Sequence, residues 1–421
     1  MNVFMEIALK GLQALLQLLI NPFYYVGILF VILQYRRQIT LERKLFHTKL
    51  HSILSQTWQT LLWGWVGGIA ASIVMAFIGA TIQVEAVLLL WAVALLLLFI
   101  RVRFLCWAYA IGIIGILQSI WIWIPDVHTI NGLSWLTGPL LALNMPSLLA
   151  LIAILHVVEA VLVRLKGART GTPMFYESKR GKIVGGYQLQ GFWPIVLFLV
   201  IPYQGGGTLL PWTPLLGAGL WGGGWTIIGF PMMIGFADVT ISRLPKEKAK
   251  LSSNLLFLYA GVVLLLAALA YVGPITTMIA CLGCILLHEV LRLYSRWDES
   301  NRKPYFVEDP RGLKILGVMP GSAGDELGIQ VGEIIHKVNG LPIKSKQDLH
   351  HAMQLNSAFC KLEILNLDGE SKFLKRPMFS GEHHQLGIIL VPDQDAPYYV
   401  EEKPVHFWSY LRRKLPSTIS K

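Results

Sequence analysis

The chain has 421 residues, of which 54% are hydrophobic and 14% charged, with 14 tryptophans and a formal net charge of +11. A soluble protein carries about 25% charged residues, so an aqueous fold for the whole chain is not expected. The positive charge does not point to nucleic acid, because most cations sit in short loops between apolar runs, where they set the orientation of a membrane protein.

A helix needs about 20 apolar residues to cross the hydrocarbon. In chain order such runs occupy 12–33, 61–82, 84–100, 104–124, 133–163, 192–212, 214–236, 255–272 and 275–291. These predict about nine helical spans; eight is the alternative, since 84–100 and 275–291 are short and Pro22 interrupts the first run. Alternate loops are basic: Arg36, Arg37, Arg43, Lys44 and Lys49; Arg101 and Arg103; Arg164, Lys166, Arg169, Lys179, Arg180 and Lys182; Arg243, Lys246, Lys248 and Lys250. The intervening loops hold no Lys or Arg. This asymmetry predicts cytoplasmic basic loops, a cytoplasmic C-terminal region and an external N-terminus. No cleavable signal peptide is expected, because the first run lacks a basic start and a small-residue cleavage site.

Ionisable groups inside a membrane mark functional sites by default. His156, Glu159 and Asp238 are the candidates, but each lies near a basic loop, where snorkelling makes an interfacial position inexpensive. The stretch 217–224, with Gly219-x-x-x-Gly223, suits close helix packing. Cys281-x-x-Cys284 lies in an apolar run and reads as structural rather than as a metal or redox pair.

From Arg296 the composition turns soluble. The predicted domains are a multi-span region at 1–295, a linker at 296–304, a small α+β domain at 305–392 and a tail at 393–421. Gly312 to Val318 predicts a strand, Pro320-Gly321 a turn, and Ser322 the cap of a one-turn helix ending at Gly328. Residues 333–338 predict a second strand, followed by the tight-turn pair Asn339-Gly340. Ser345 and Asp348 form a capping-box pattern for a helix carrying Leu349, Ala352 and Met353 on one face. Residues 361–365 and 372–374 predict a hairpin around Asp368-Gly369.

The run Gly317-Val-Met-Pro-Gly-Ser-Ala-Gly-Asp-Glu-Leu-Gly-Ile-Gln-Val-Gly-Glu-Ile-Ile-His-Lys-Val-Asn-Gly340 resembles the core of bacterial PDZ domains. Ala323-Gly324 departs from the Pro-Ala common at that point, which alters only the short helix. The resemblance implies that an extended peptide adds as a strand between an edge strand and a helix. No apolar-Gly-apolar carboxylate loop precedes Gly312, but one follows in Gln385-Leu386-Gly387-Ile388-Ile389-Leu390. That order resembles circularly permuted PDZ domains, in which the groove strand comes last. Leu386, Gly387 and Ile388 would then receive the peptide carboxylate, and Lys346, His350 and Met353 would form the opposite wall. A bulky residue at 387 is expected to abolish peptide binding and leave the fold intact. The alternative is that 386–390 is simply a further core strand.

No catalytic residue, metal ligand or cofactor is expected. His288-Glu289-Val290-Leu291-Arg292 has Arg where a zinc protease needs its second His. Leu367-Asp368-Gly369 lies in a soluble turn, and Gly321-Ser322 is the helix cap rather than a serine nucleophile. No phosphate loop or dinucleotide pattern occurs. The tail ends in the aromatic and basic cluster 406–414, which suits either an anionic membrane surface or a disordered segment.

The loop 35–50, with its Glu42-Arg43-Lys44 and Phe46-His47-Thr48, follows the Asn21-Pro22 break. Together with many apolar spans and one C-terminal PDZ domain, it resembles the MinJ-type topological determinants of Gram-positive cell division. The resemblance implies a bacterial membrane adaptor enriched at septa and poles, with a cytoplasmic PDZ domain, linking DivIVA-like to MinD-like proteins within a lipid bilayer. The rival expectations are a degenerate or accessory component of a membrane protease, and a transporter with a regulatory PDZ domain.

Overall fold

The computed structural model describes residues 3–48, 50–79, 84–100, 104, 106–123, 134–178, 181–203, 209–216, 220–356, 359–377, 386–393, 399–400 and 419–420. The cluster at 406–414, the loop at 125–131, Arg101, Arg103, Lys179 and Arg180 lie outside the described residues, as do 217–219 of the glycine-rich stretch.

Asn21 and Pro22 split the first apolar run into α1 (Val3–Ile20) and α2 (Pro22–Phe46). The Asn21 side chain accepts the Phe23 N–H at 3.0 Å, and Pro22 starts α2 where its missing N–H costs nothing. Residues 35–46, expected as loop, continue α2. Glu42 is fully buried at its end, and one carboxylate oxygen accepts the Leu50 and His51 amides at 2.8 and 3.2 Å. There follow α3 (Ile53–Ile78), α4 (Val84–Ile100), α5 (Trp107–Trp123), α6 (Ser134–Leu141) and α7 (Met145–Leu162).

The next two runs are not helices. Residues 192–212 and 214–236, expected as spans six and seven, lie largely in β2 (Ile183–Pro202) and β3 (Trp225–Thr240) of a long antiparallel hairpin. It pairs continuously from Tyr187↔Thr240 to Pro202↔Trp225, and the short β1 (Thr172–Glu177) joins its base. Hydropathy alone does not distinguish the two outcomes. The local chemistry does: Pro194 and Pro231 would break a helix, and Trp193, Ile195, Val196, Phe198, Val200 and Ile201 favour strand. Sixteen paired residues at about 3.3 Å each extend roughly 50 Å, more than the ~30 Å hydrocarbon core.

Unpaired strand edges are not tolerated against lipid, and here helices meet the hairpin at several points. Along β2 the groups of residues 194, 196 and 198 share one edge. Pro194 has no N–H to leave unpaired. A Cβ on Gly64 or Gly68 of α3 would collide with the Pro194 or Val196 carbonyl oxygen, so only glycine lets this helix lie against the strand. The Phe198 N–H donates to Ser72 Oγ at 2.8 Å. On the opposite edge, a Cβ at Gly229 of β3 would strike the Ala14 carbonyl of α1, and Lys10 Nζ donates to the Trp225 carbonyl at 2.5 Å.

The chain then forms α8 (Pro245–Leu269) and α9 (Pro274–Asn301). Among the described residues, five helices are long and apolar enough to cross a membrane: Val3–Ile20, Ile53–Ile78, Met145–Gly167, Pro245–Leu269 and Pro274–Asn301. The stretch Met145–Gly167 is the most enclosed, with 72% of its most apolar window buried. The hairpin returns to the end from which it starts. Lys10 meets the far end of the hairpin at Trp225, whereas Gln38 bonds Thr172 at its base.

Residues 296–301, expected as linker, continue α9, and the small domain is docked rather than tethered. It comprises β4 (Leu313–Val318), α10 (Ala323–Glu326), β5 (Ile334–Val338), β6 (Leu341–Pro342), α11 (Lys346–Gln354), β7 (Phe359–Leu365), β8 (Ser371–Pro377) and β9 (Ile388–Leu390). The sheet order is β8-β7-β5-β4-β9, with β6 on β5. Its own core holds Ile315, Ile335, Val338, Ile343, Ala352, Met353, Leu362 and Ile364. Its other face belongs to the core of the apolar region, where Phe306, Leu316, Ile389 and Val391 pack with Tyr187 and Leu189. The Gly185 amide donates to the Phe306 carbonyl at 2.9 Å, and the Tyr187 hydroxyl donates to the Leu316 carbonyl.

Candidate peptide-binding groove

Position in the sheet makes β9 an edge. It pairs antiparallel with β4 through Ile315↔Leu390, Gly317↔Ile389 and Val318↔Ile388, and among the described residues no strand lies beyond it. The Met319 amide donates to the Gly387 carbonyl at 2.8 Å, and the Val391 amide to the Lys314 carbonyl at 3.1 Å. Residues 387, 389 and 391 therefore face β4. By alternation the amides and carbonyls of Ile388 and Leu390 point to the open edge. The side chains divide too: Ile389 is buried toward the apolar region, while half-buried Ile388 packs on the small domain's own core.

The turn before β9 is held from the short helix. Ser322 caps α10 through the Asp325 amide, and its hydroxyl donates to the Gly387 carbonyl at 3.3 Å. The Gly324 amide donates to the Leu386 carbonyl at 2.7 Å, and Leu386 is buried. Gly387 has φ +66°, a left-handed conformation that favours glycine, and a Cβ there would collide with the Ser322 side chain. A bulky residue at 387 would thus disturb the turn itself, which corrects the expectation that the fold would tolerate it.

The facing wall is α11. Its capping box is formed: Ser345 Oγ accepts the Asp348 amide at 3.1 Å and Asp348 Oδ2 accepts the Ser345 amide at 2.8 Å. The Lys344 and Ser345 bonds hold the Asp348 carboxyl below the ordinary aspartate range. Met353 is buried in the domain core, and His350 is exposed with a 2.8 Å bond to Gln354 Nε2. Lys346 Nζ reaches Asp393 Oδ2 at 2.7 Å, which brings the start of α11 beside the end of β9. Asp393 and the outward backbone of Leu390 are the groove features that sequence reasoning missed. Alternation from Gly387 would have revealed the second; nothing in the sequence points to the first. Buried Cys360, on β7, has its thiol pushed up to about 11 by burial and is chemically quiet.

The polar candidates of the apolar region are held inside the protein. His156 and Glu159 are buried, because α7 is enclosed by α3, α5, α8 and α9. Asp238 is held by fully buried Lys248 at 3.4 Å and by the Ser252 and Ser295 hydroxyls at 3.1 and 2.8 Å. Lys248 also meets Glu299 at 3.2 Å, so this ion cluster joins β3, α8 and α9. Glu289, in the position of a zinc protease's base, bonds Arg292 at 2.6 Å and accepts the Tyr109 hydroxyl at 2.7 Å.

Fold and groove define a class: a protein with several membrane-competent helices and a protein-interaction module of the PDZ type. Residues 314–362 match the PDZ domain family. Beyond that module, the chain is 27% identical to the cell division topological determinant MinJ of Bacillus subtilis (strain 168), over 89% of this chain and 93% of that protein. It is 22% identical to a probable MinJ of Lacticaseibacillus paracasei, over 79% of this chain and 86% of that one. The resemblance to MinJ-type proteins thus covers the apolar region as well as the PDZ domain.

Proposed function

We propose that this protein is a membrane-embedded adaptor in division-site selection, whose PDZ groove receives a partner's C-terminal peptide between β9 and α11. The open edge of β9 carries the reading: Ile388 and Leu390 present unpaired backbone groups beside a helix wall, as strand addition requires. The turn at Leu386, Gly387 and Ile388 would receive the carboxylate. Met353 and Ile388 would line an apolar pocket for the last side chain, and Lys346 would meet an acidic or hydroxyl group further back. The groove strand comes last in the chain, as in a circularly permuted PDZ domain.

Similarity to MinJ along most of the chain supports the division role. On this reading the bilayer surrounds the helices, with exposed Phe4, Leu54, Leu88 and Leu265 against lipid. The base of the hairpin and the PDZ domain lie in the cytoplasm, and the adaptor joins a DivIVA-like protein to a MinD-like one. The structural ion pairing of Asp238 and Glu289 favours an adaptor over a transporter or a protease.

The test is a fluorescent fusion of the full chain in dividing cells, as wild type and as Leu390→Pro, which removes an outward N–H without touching the bonds to β4. Septal and polar enrichment of the wild type, with the MinD-like protein recruited only by the wild type, is the expected result. Uniform membrane signal, or equal recruitment by both, would overturn the proposal.

A further inference from the structure

Three helices bring together donors far apart in sequence. Cys106 lies at the start of α5, His156 on α7 and His288 on α9, and one ligand atom from each falls within 4.8 Å of the others. Cys106 Sγ is 3.5 Å from His156 Nε2. Tetrahedral zinc, with Zn–S near 2.3 Å and Zn–N near 2.0 Å, separates its sulfur and nitrogen ligands by about 3.5 Å.

The second nitrogens of both rings are already used. His156 Nδ1 lies 2.8 Å from the Ile152 carbonyl, which can only accept, so Nδ1 carries the proton and Nε2 keeps its lone pair. His288 Nδ1 lies 3.0 Å from the Tyr109 hydroxyl, whose own proton goes to Glu289 Oε1 at 2.7 Å. That hydroxyl therefore accepts from Nδ1–H and leaves His288 Nε2 as a donor to metal. Bonds of this kind orient metal-binding imidazoles and fix their tautomer. A carboxylate stands close: Glu159 Oε2 is 4.0 Å from His156 Nε2. Cys106, His156 and Glu159 also line one small cavity with Gly235. The Tyr259 ring closes the cluster edge-on, 4.7 Å from His156 and 5.6 Å from His288.

We propose that Cys106, His156 and His288 bind one zinc-class divalent ion inside the helical region, with a water as the fourth ligand beside the Glu159 carboxylate. Binding forms a metal–thiolate bond, and the Cys106 proton leaves to water. One thiolate, two imidazoles and a water satisfy the tetrahedral preference of such an ion. The ion staples α5, α7 and α9.

Full-length protein in detergent, stripped by a chelator and titrated with cobalt(II) alone, reads the site directly. The expected result is about one equivalent bound, with tetrahedral visible bands and a near-ultraviolet sulfur-to-cobalt band. Cys106→Ser should lose the near-ultraviolet band, and His156→Gln and His288→Gln should lose the tetrahedral bands. Thermal unfolding supplies the second reading: zinc raises the Tm of the wild type but not of Cys106→Ser, whose metal-free Tm is unchanged. Absence of tetrahedral bands in the wild type, or the same bands in all three variants, would overturn the proposal.

Discussion

The β2–β3 hairpin and the β9 edge pose the same physical problem and solve it oppositely. In the hairpin the outward groups at Pro194, Val196, Phe198 and Trp225 meet a helix, a proline or a side chain: Gly64, Gly68 and Ser72 lie along one edge, and Lys10 reaches the Trp225 carbonyl. In β9 the outward groups of Ile388 and Leu390 meet no further strand among the described residues. A covered edge is architecture, and an uncovered one beside a helix is a place for another chain. The docked face of the PDZ domain adds to the contrast, because Ile389 and Leu316 fix one face of the same sheet against the apolar region.

Substitutions that sharpen this contrast should separate folding from binding. The largest effect is expected from Gly68→Val, which drives a branched side chain into the Val196 carbonyl. It should lower stability by about 3 kcal/mol, as overpacking in a rigid core does, and show as loss of folded protein in detergent melts. Ser72→Ala leaves the Phe198 N–H without its acceptor in a dry setting and should cost about 2 kcal/mol. Lys346→Glu reverses the charge beside Asp393. It should leave stability unchanged and alter peptide affinity by about fivefold, in the direction set by the peptide's own charge.

The smallest effect concerns pH. Hydrogen bonds from the Arg311 guanidinium hold the Asp309 carboxyl at about 2, against an ordinary 3.8. A depressed carboxyl contributes stability above its unfolded value and loses it as pH falls through the folded one. The entry to β4 should therefore be firm above pH ~4 and loosen between about 4 and 2. Asp309→Asn should flatten that dependence in hydrogen exchange across Gly312–Lys314.

The PDZ elements were legible because turn chemistry punctuates them: Gly321, Gly328, Asn339 and Gly340 all adopt the left-handed backbone their positions imply. Ser345 and Asp348 form the capping box their spacing suggests. The apolar region was legible in its runs but not in its backbone. A 20-residue apolar segment buried on both faces has no period to read, and the local signals for strand were Pro194, Pro231 and the β-branched and aromatic residues from Trp193 to Ile201. The strand β9, which pairs with β4, was readable after Leu386-Gly387. The docking of Phe306 and Leu316, and the meeting of Cys106, His156 and His288, depend on contacts across the fold that no local pattern records.

The most direct measurement of the groove is a library of seven-residue peptides with free C-termini, screened on the full-length protein in detergent. Wild-type protein should select an apolar last residue, lose binding when that carboxyl is amidated, and lose at least about tenfold in affinity on Leu390→Pro, which is about 1.4 kcal/mol. Equal binding of the amidated peptides, or undiminished affinity in Leu390→Pro with its melting temperature unchanged, would contradict the open edge of β9 as the binding strand.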